Sequence, residues 1–585
     1  METRWTKMVN KDAPLPEYPR PQLRRNIWAN LNGQFDYAVN KSMEIFPEKY
    51  EGKITVPFAI ESHLSGVEKR LDPMDILWYH KTFVIPEEFD SKRVILHFGA
   101  VDWECRVYIN GQFVGGHTGG YCPFSFDITD YLGEYENDLH VSVFDPTDKG
   151  WQQRGKQAIK QTGFWYTPTT GIWQTVWLEA VDEKHITSLK LTPDIDEFCV
   201  HVDVETTAES DYEIVATVFD EDDEVVVSSK IGCVDVIPMK RYKPWTPEKP
   251  SLYNVMFELY CDGLLVDTVV SYFGMRKFSV EKDDNGIPRL FLNNKPYFQI
   301  GLLDQGYWPD GVMTPPTDEA MIFDIKVMKS LGFNMLRKHI KVEPLRWYYH
   351  CDKIGMIVWQ DMVSGAKHPG NFVVGALPFF QVKVKDNAYA LFNRNEKAWR
   401  DQFEEELEQM MDTLHNCVSI GCWVPFNEGW GQFDAKRIAE KVKAKDPSRV
   451  VDHASGWFDQ KGGDLRSMHR YVVPVTKGKS DDRAFVVSEF GGYSRIVPGH
   501  TMNEKKAFGY LMYKDKASLT KAYEKLFNKQ IIPLVSKGLS AIVYTQLSDV
   551  ENETNGIMTY DRDIMKLDNE TIIKLNKRLF SILVR

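Results

Sequence analysis

The chain has 585 residues, 43% hydrophobic and 26% charged, which is the composition of ordinary folded domains and, at this length, of more than one. A net charge of −12 argues against nucleic acid as the main partner. The start, METRWTKMVNKDAPLPEYPRPQ, lacks the apolar stretch of a signal peptide and no run is long enough to span a membrane, so a cytoplasmic location is expected, although a chain trimmed of a leader would read the same.

Residues 25–182 read as short strands with turn punctuation: RVILHF from Arg93, CRVYINGQFVGG from Cys105, LHVSVFD from Leu139, and a final alternating GIWQTVWLEAV. Asn110-Gly111 is a strong hairpin signal. A β-sandwich follows, with a jelly roll expected over 1–182. Residues 183–276 alternate again in about seven strands, which fits an immunoglobulin-like sandwich without the Cys-Trp-Cys pattern of antibody domains.

After residue 277 the rhythm becomes strand, helix, strand. Eight strand-like runs begin near Tyr297, Asn334, Met356, Ile420, Val450, Met468, Phe485 and Ser540, with amphipathic helices such as DEAMIFDIKVMKSLG and KAWRDQFEEELEQMMDTL between most of them. Eight units in about 300 residues predict a (β/α)8 TIM barrel over 277–585. The absence of a Gly-rich dinucleotide turn disfavours a doubly wound sheet. The expected fold class is therefore multidomain, β plus α/β.

In such barrels functional residues sit where strands end at the carboxyl face. Those positions are Arg337 and His339 on strand 2, Asp361 on strand 3, Asn427-Glu428 on strand 4, His469 and Tyr471 on strand 6, Glu489 on strand 7, and Tyr544 with Gln546 on strand 8. Two glutamates, each closing an apolar strand, can face one another across the mouth. Paired carboxylates are the equipment of glycoside hydrolysis, one protonated to serve the leaving oxygen and one ionised. Arg337 and Tyr471 are candidates to keep Glu489 ionised, and Asn427 to hold a sugar 2-hydroxyl. Against these readings, Arg337 could be an ordinary barrel salt bridge, His339 and His469 satisfied core histidines, and Trp359 and Trp423 barrel filling. Asp361, His368, His453 and His469 could bind a metal but match no metal-ligand spacing, and the eight cysteines form no CxxC pair, so no cofactor is expected to be required, with a structural or activating divalent cation the alternative that no motif supports. The segment from Val363 to Asn395 is long for a βα loop, and Phe372, Phe379, Phe380 and Tyr389 could wall the leaving-group side or pack the loop onto the sandwiches.

The chain resembles glycoside hydrolase family 2, the β-galactosidase, β-glucuronidase and β-mannosidase family, over essentially its whole length. The stretches that carry this are LNGQF at 31–35, AVDW at 100–103 with VYING at 107–111, TGIWQTVWLE at 170–179, GFNMLR at 332–337, Asn427-Glu428, and SEFG at 488–491. The resemblance implies two sandwiches and a catalytic barrel, with Glu428 as acid/base and Glu489 as nucleophile. Trp359-Gln360-Asp361 is similar to the mannosidase pattern, Tyr544-Thr545-Gln546 departs from a common tryptophan, and Leu303-Asp304-Gln305 matches no characterised specificity, although Asp304 belongs among the candidate substrate contacts. The Asn-x-Lys pair of uronic-acid enzymes falls here on Glu553 and Asn555, which implies a neutral sugar, with a β-galactoside as first expectation. A β-mannosidase, a pentosidase and a silent carbohydrate-binding protein are the alternatives. The expected partner is a carbohydrate, not nucleic acid or membrane, and a homo-oligomer is compatible with the sequence.

Overall fold

The computed structural model describes residues 1–583 except 368, 369, 371, 372, 374–376, 378–381, 383, 479 and 480. His368, Phe372, Phe379 and Phe380 therefore lie outside the described residues. Among the described residues no helix is long and apolar enough to cross a membrane.

The first sandwich pairs a four-stranded sheet (Trp28–Asn30, Val176–Val181, Arg93–Phe98, Phe124–Asp127 in spatial order) with a six-stranded one built on Gly33–Asn40, Ile76–Val84 and Glu136–Phe144. Residues such as Phe35, Leu77, Leu96, Val107 and Val141 fill the space between them. The Asn110-Gly111 turn joins Glu104–Ile109 to Gln112–Thr118, and both of its residues have positive φ (50° and 76°), as a tight hairpin of this hand requires. The second sandwich has seven strands, three in one sheet and four in the other, between Ile186 and Phe273.

The barrel strands are β1 Gln299–Asp304, β2 Met335–Lys338, β3 Ile357–Asp361, β4 Ile420–Val424, β5 Val450–Val451, β6 Leu465–Arg470, β7 Ala484–Gly491 and β8 Leu539–Thr545. All pair in parallel, in the order β5-β4-β3-β2-β1-β8-β7-β6, so the ring is closed except between β5 and β6. Five long helices cover it: Asp318–Ser330, Leu345–Ile354, Lys397–Leu414, Ala435–Lys445 and Lys516–Leu526, with Asn569–Leu583 after β8. Between β5 and β6, and between β6 and β7, no helix stands among the described residues, so two of the eight expected strand–helix units lack their helix.

Alternation along the strands sorts the side chains into two cores. Leu303, Met335, Trp359, Val424, Val486 and Val543 point inward and pack on Phe278, Leu290 and Leu292 of a small antiparallel sheet at one end of the barrel. Leu302, Leu336, Val358, Val487, Ile542 and Tyr544 point outward to the helices. Trp359 donates to the Gln299 Oε1 at 2.7 Å and Trp423 to the Asp446 Oδ2 at 2.8 Å, both fully buried, so these tryptophans fill the barrel wall.

Candidate active site

The carboxyl ends of the strands open on a cavity of about 290 Å³, lined from the barrel by Leu303, His339, Asn427, Glu428, Tyr471, Glu489 and Thr545. At its base lies Arg337, which has no exposure to solvent. Its Nε and Nη2 donate to Asp361 at 2.9 and 3.0 Å, Nη2 also to the Asn427 Oδ1 at 2.9 Å, and Nη1 to the Glu489 Oε1 at 3.1 Å. Burial works against the guanidinium charge, but Asp361 and Glu489 outweigh it and hold the group firmly protonated. Asp361 thus reaches the site through Arg337. His339 donates from Nδ1 to Asp361 Oδ2 at 2.9 Å. Burial, together with the charges of Lys156 and Arg337, pushes its ring far below the usual histidine range. Asp361 is already paired with Arg337, so the ring stays neutral and presents Nε2 to the pocket as an acceptor.

Glu428 follows the end of β4 in a turn where it and Gly429 both have positive φ (52° and 73°). Its N–H donates to the Ser455 carbonyl at 2.9 Å, which ties the turn to the segment after β5. A Cβ on Gly429 would come within 2.3 Å of the Phe458 ring, so only glycine fits there. Glu489 enters differently. Regular alternation from Val486 would aim residue 489 at the helices, but register shifts within β6–β7 and β7–β8 interrupt the ladder there and turn its carboxylate into the mouth.

One oxygen of Glu428, one of Glu489 and one ring nitrogen of His469 lie within 4.8 Å of one another. His469 bridges the pair, with Nδ1 2.7 Å from Glu428 Oε1 and Nε2 3.6 Å from Glu489 Oε1. Burial lowers its pKa to about 4, so the ring is neutral at physiological pH. Burial pushes the Glu428 carboxyl up to about 7, opposed by Lys156 and Arg337 and reinforced by Glu553. Burial raises Glu489 as well, with Glu428 adding to the rise, whereas His469, Arg337 and the Tyr471 hydroxyl oppose it. Two adjacent carboxyls in one buried site cannot both ionise freely, and the one touching a permanent cation and a phenol keeps the charge more readily. These three donor groups could also ligate a cation, although Arg337 already supplies positive charge there. His500, Asp561 and Asp563 form the other such cluster among the described residues, where Arg4 pairs with Asp563 at 2.7 Å.

Tyr544 and Asp304 are not in the pocket. Their alternation places them on the helix side, and Leu303 and Thr545 take the inward positions. The Tyr544 ring packs edge-on against Phe490 and Tyr523, while Asp304 pairs with Lys338 at 2.7 Å in a buried ion network with Glu343 and Lys341. Gln546 donates to Asn555 at 2.7 Å, behind the lining. Tyr389 donates to Asp434 at 3.0 Å and lies over Arg400, so it packs the loop and does not wall the pocket. Sequence reasoning missed Lys156, Phe164, Trp165, Trp457 and Tyr510 as lining residues. The first three arrive on a long excursion of the first sandwich that docks on the loop after β3, where the Arg154 and Gly155 N–H groups donate to the Ser364 carbonyl. Nothing in the local sequence announces that docking.

Family models match in three consecutive blocks: the sugar binding domain of glycosyl hydrolases family 2 over residues 30–181, a further glycosyl hydrolases family 2 model over 184–276, and the family 2 TIM barrel domain over 312–481. A β-galactosidase of Thermoanaerobacter pseudethanolicus is 27% identical over 476 residues, covering 77% of this chain; the chain spans 58% of that relative's length. Among solved structures, a β-D-glucuronidase of Dictyoglomus thermophilum superposes with a TM-score of 0.74 at 16% identity, covering 96% of this chain and 98% of that one. A β-glucuronidase of an uncultured Clostridium gives 0.73 at 17%, covering 96% and 99%. These structures share the fold. With all three domain models matched in order across most of its length, the chain belongs to glycosyl hydrolase family 2.

Proposed function

We propose that the chain is a retaining, exo-acting glycoside hydrolase for terminal β-linked neutral sugars, a β-galactoside first, with Glu489 as nucleophile and Glu428 as acid/base. One observation carries the reading: one oxygen of Glu428 and one of Glu489 lie within 4.8 Å of each other, in unequal surroundings. Direct attack needs carboxyl groups about 5–5.5 Å apart, whereas an intervening water needs about 6.5–9.5 Å. Glu489, held by Arg337 and Tyr471, attacks the anomeric carbon. Glu428, protonated below about pH 7, gives its proton to the leaving oxygen, and the resulting carboxylate then takes a proton from water as that water opens the glycosyl–enzyme bond. Asn427 spends Oδ1 on Arg337, leaving its amide hydrogens for the sugar 2-hydroxyl. A pocket of about 290 Å³ suits a terminal sugar better than the interior of a chain. No cofactor enters this reaction.

The neutral sugar is supported by Glu553, a pocket-lining carboxylate held by the Tyr166 hydroxyl and by Asn555 at 2.9 Å. A second carboxylate brought against it would be repelled. The β-galactosidase name of the curated relative supports galactose. The mannosidase-like Trp359-Gln360-Asp361 gives mannose little support: Trp359 fills the barrel, and Gln360 is bonded to Tyr348 and to the Lys341 carbonyl away from the pocket. Side-by-side kinetics on p-nitrophenyl β-D-galactoside, β-D-mannoside and β-D-glucuronide test the proposal. Faster hydrolysis of the glucuronide than of every neutral glycoside refutes the sugar assignment, and no hydrolysis of any β-glycoside refutes the activity.

A further inference from the structure

Six aromatic side chains, five lining the pocket and Phe508 beside them, form a continuous wall. Trp430 meets Trp165 edge-on at 4.8 Å between centroids, Trp165 touches Phe164 at 5.6 Å, and Phe164 meets Phe508 at 6.0 Å. Phe508 meets Tyr510 at 5.8 Å, and Tyr510 stacks on Tyr471 at 4.0 Å. The wall is assembled from the turn after β4, the first sandwich, the segment after β7 and the end of β6. Two of its features serve no internal purpose. The Trp430 Nε1–H is buried without a hydrogen-bond partner among the described residues. Phe164 keeps 38% of its surface exposed.

Lys156 belongs to the same wall. Its ammonium lies 5.6 Å from the ring centres of Phe164 and Tyr166, it lines the pocket, and it makes no ion pair among the described residues. Glu428 marks the side of the pocket in question. A proton donor must face the glycosidic oxygen, so what lies beyond it is the leaving group. Trp430 stands two residues from Glu428, and Lys156 lines the same cavity as both.

We infer that the Trp430–Trp165–Phe164 end of this wall is a leaving-group subsite that takes a saccharide bearing an anion, carboxylate or sulfate, on the sugar next to the scissile bond, with Lys156 as its ionic partner and Trp430 as a hydrogen-bond donor. The aromatic faces pack against the apolar side of the ring, and the ammonium, half-buried beside them, gains more from an anion than a fully exposed lysine would. The inference rests on Glu428 being the acid.

The test uses disaccharides that share the terminal sugar found in the p-nitrophenyl panel and differ in the second residue: a neutral hexose, its uronic acid, or its sulfate ester. The intact enzyme is expected to favour at least one anionic member over the neutral one by roughly tenfold in kcat/KM, the scale of one charge-assisted hydrogen bond. Whichever anion is favoured distinguishes carboxylate from sulfate. The preference should shrink in about 1 M NaCl, where charges are screened within about 3 Å. Lys156→Met should bring the ratio near one and Lys156→Arg should retain it. A ratio near one in the intact enzyme overturns the inference, as does a preference that survives Lys156→Met. It is also overturned if Lys156→Met acts on the ratio of p-nitrophenyl β-uronoside to p-nitrophenyl neutral glycoside, since the lysine would then read the terminal sugar. Failure of the catalytic reading is separate, because no p-nitrophenyl glycoside would then be cleaved.

Discussion

Replacing Arg337 with methionine removes the one cation that holds the base of the site together while leaving a side chain of similar length to fill its space. The guanidinium lies 3.1 Å from Glu489 and 2.9 Å from Asp361. At an effective dielectric of about 20, a contact of that length is worth about 5 kcal/mol of attraction before desolvation is subtracted. Breaking a buried pair typically leaves a net loss of about 3–5 kcal/mol. The stranded carboxyls respond by taking up protons. Without the guanidinium that holds it ionised, the Glu489 carboxyl rises further above its ordinary value. The sign for stability follows from proton counting. A carboxyl with a raised folded-state pKa binds more protons when folded than when unfolded, so its contribution falls as pH rises from the unfolded value through the folded one. The variant should therefore be least stable relative to wild type at about pH 8 and recover part of the deficit at about pH 5, read from denaturant midpoints. Its kcat/KM profile should show the acidic limb moved upward. A deficit under about 1 kcal/mol at pH 8, or an unmoved acidic limb, would refute the reasoning.

The pH dependence of the wild type should show a basic limb near 7, because activity that needs protonated Glu428 is present below that pKa and lost above it. Glu428→Ala should slow substrates with poor leaving groups far more than activated aryl glycosides, with azide restoring turnover, whereas Glu489→Ala should abolish both; near-normal rates in the latter would reassign the nucleophile. Gly429→Ala should cost about 1–3 kcal/mol of stability through strain and displace the Phe458 ring, and its kcat should fall with that shift; unchanged kcat would mean the turn does not position Glu428.

Much of this architecture is legible in the sequence. All eight barrel strands begin at or within a few residues of where apolar runs place them, because parallel strands buried on both faces must be apolar throughout. The same property hides the fine detail. A continuous apolar run does not say which residues face inward, and the expected pocket positions Tyr544 and Asp304 are one residue out of phase with Thr545 and Leu303, which line it. Glu489 errs in the other direction: strict alternation would have rejected it, and only the irregularity in the ladder brings it inward. Arg337, His339, Asp361, Asn427, His469 and Tyr471 converge as their positions at strand ends suggest. Lys156, Phe164 and Trp165 were illegible for a different reason. They lie some 270 residues before Glu428 in the chain, in a segment with no periodicity of its own, and reach the pocket only because one domain docks on another.

The central claim is that Glu489 and Glu428 act by double displacement. The most direct measurement is NMR of the first sugar released from an activated β-glycoside, recorded before mutarotation equilibrates the anomers. The account predicts that the β-anomer appears first and the α-anomer grows in later. First appearance of the α-anomer would contradict it, because a single displacement by water would then have occurred between the two carboxyls.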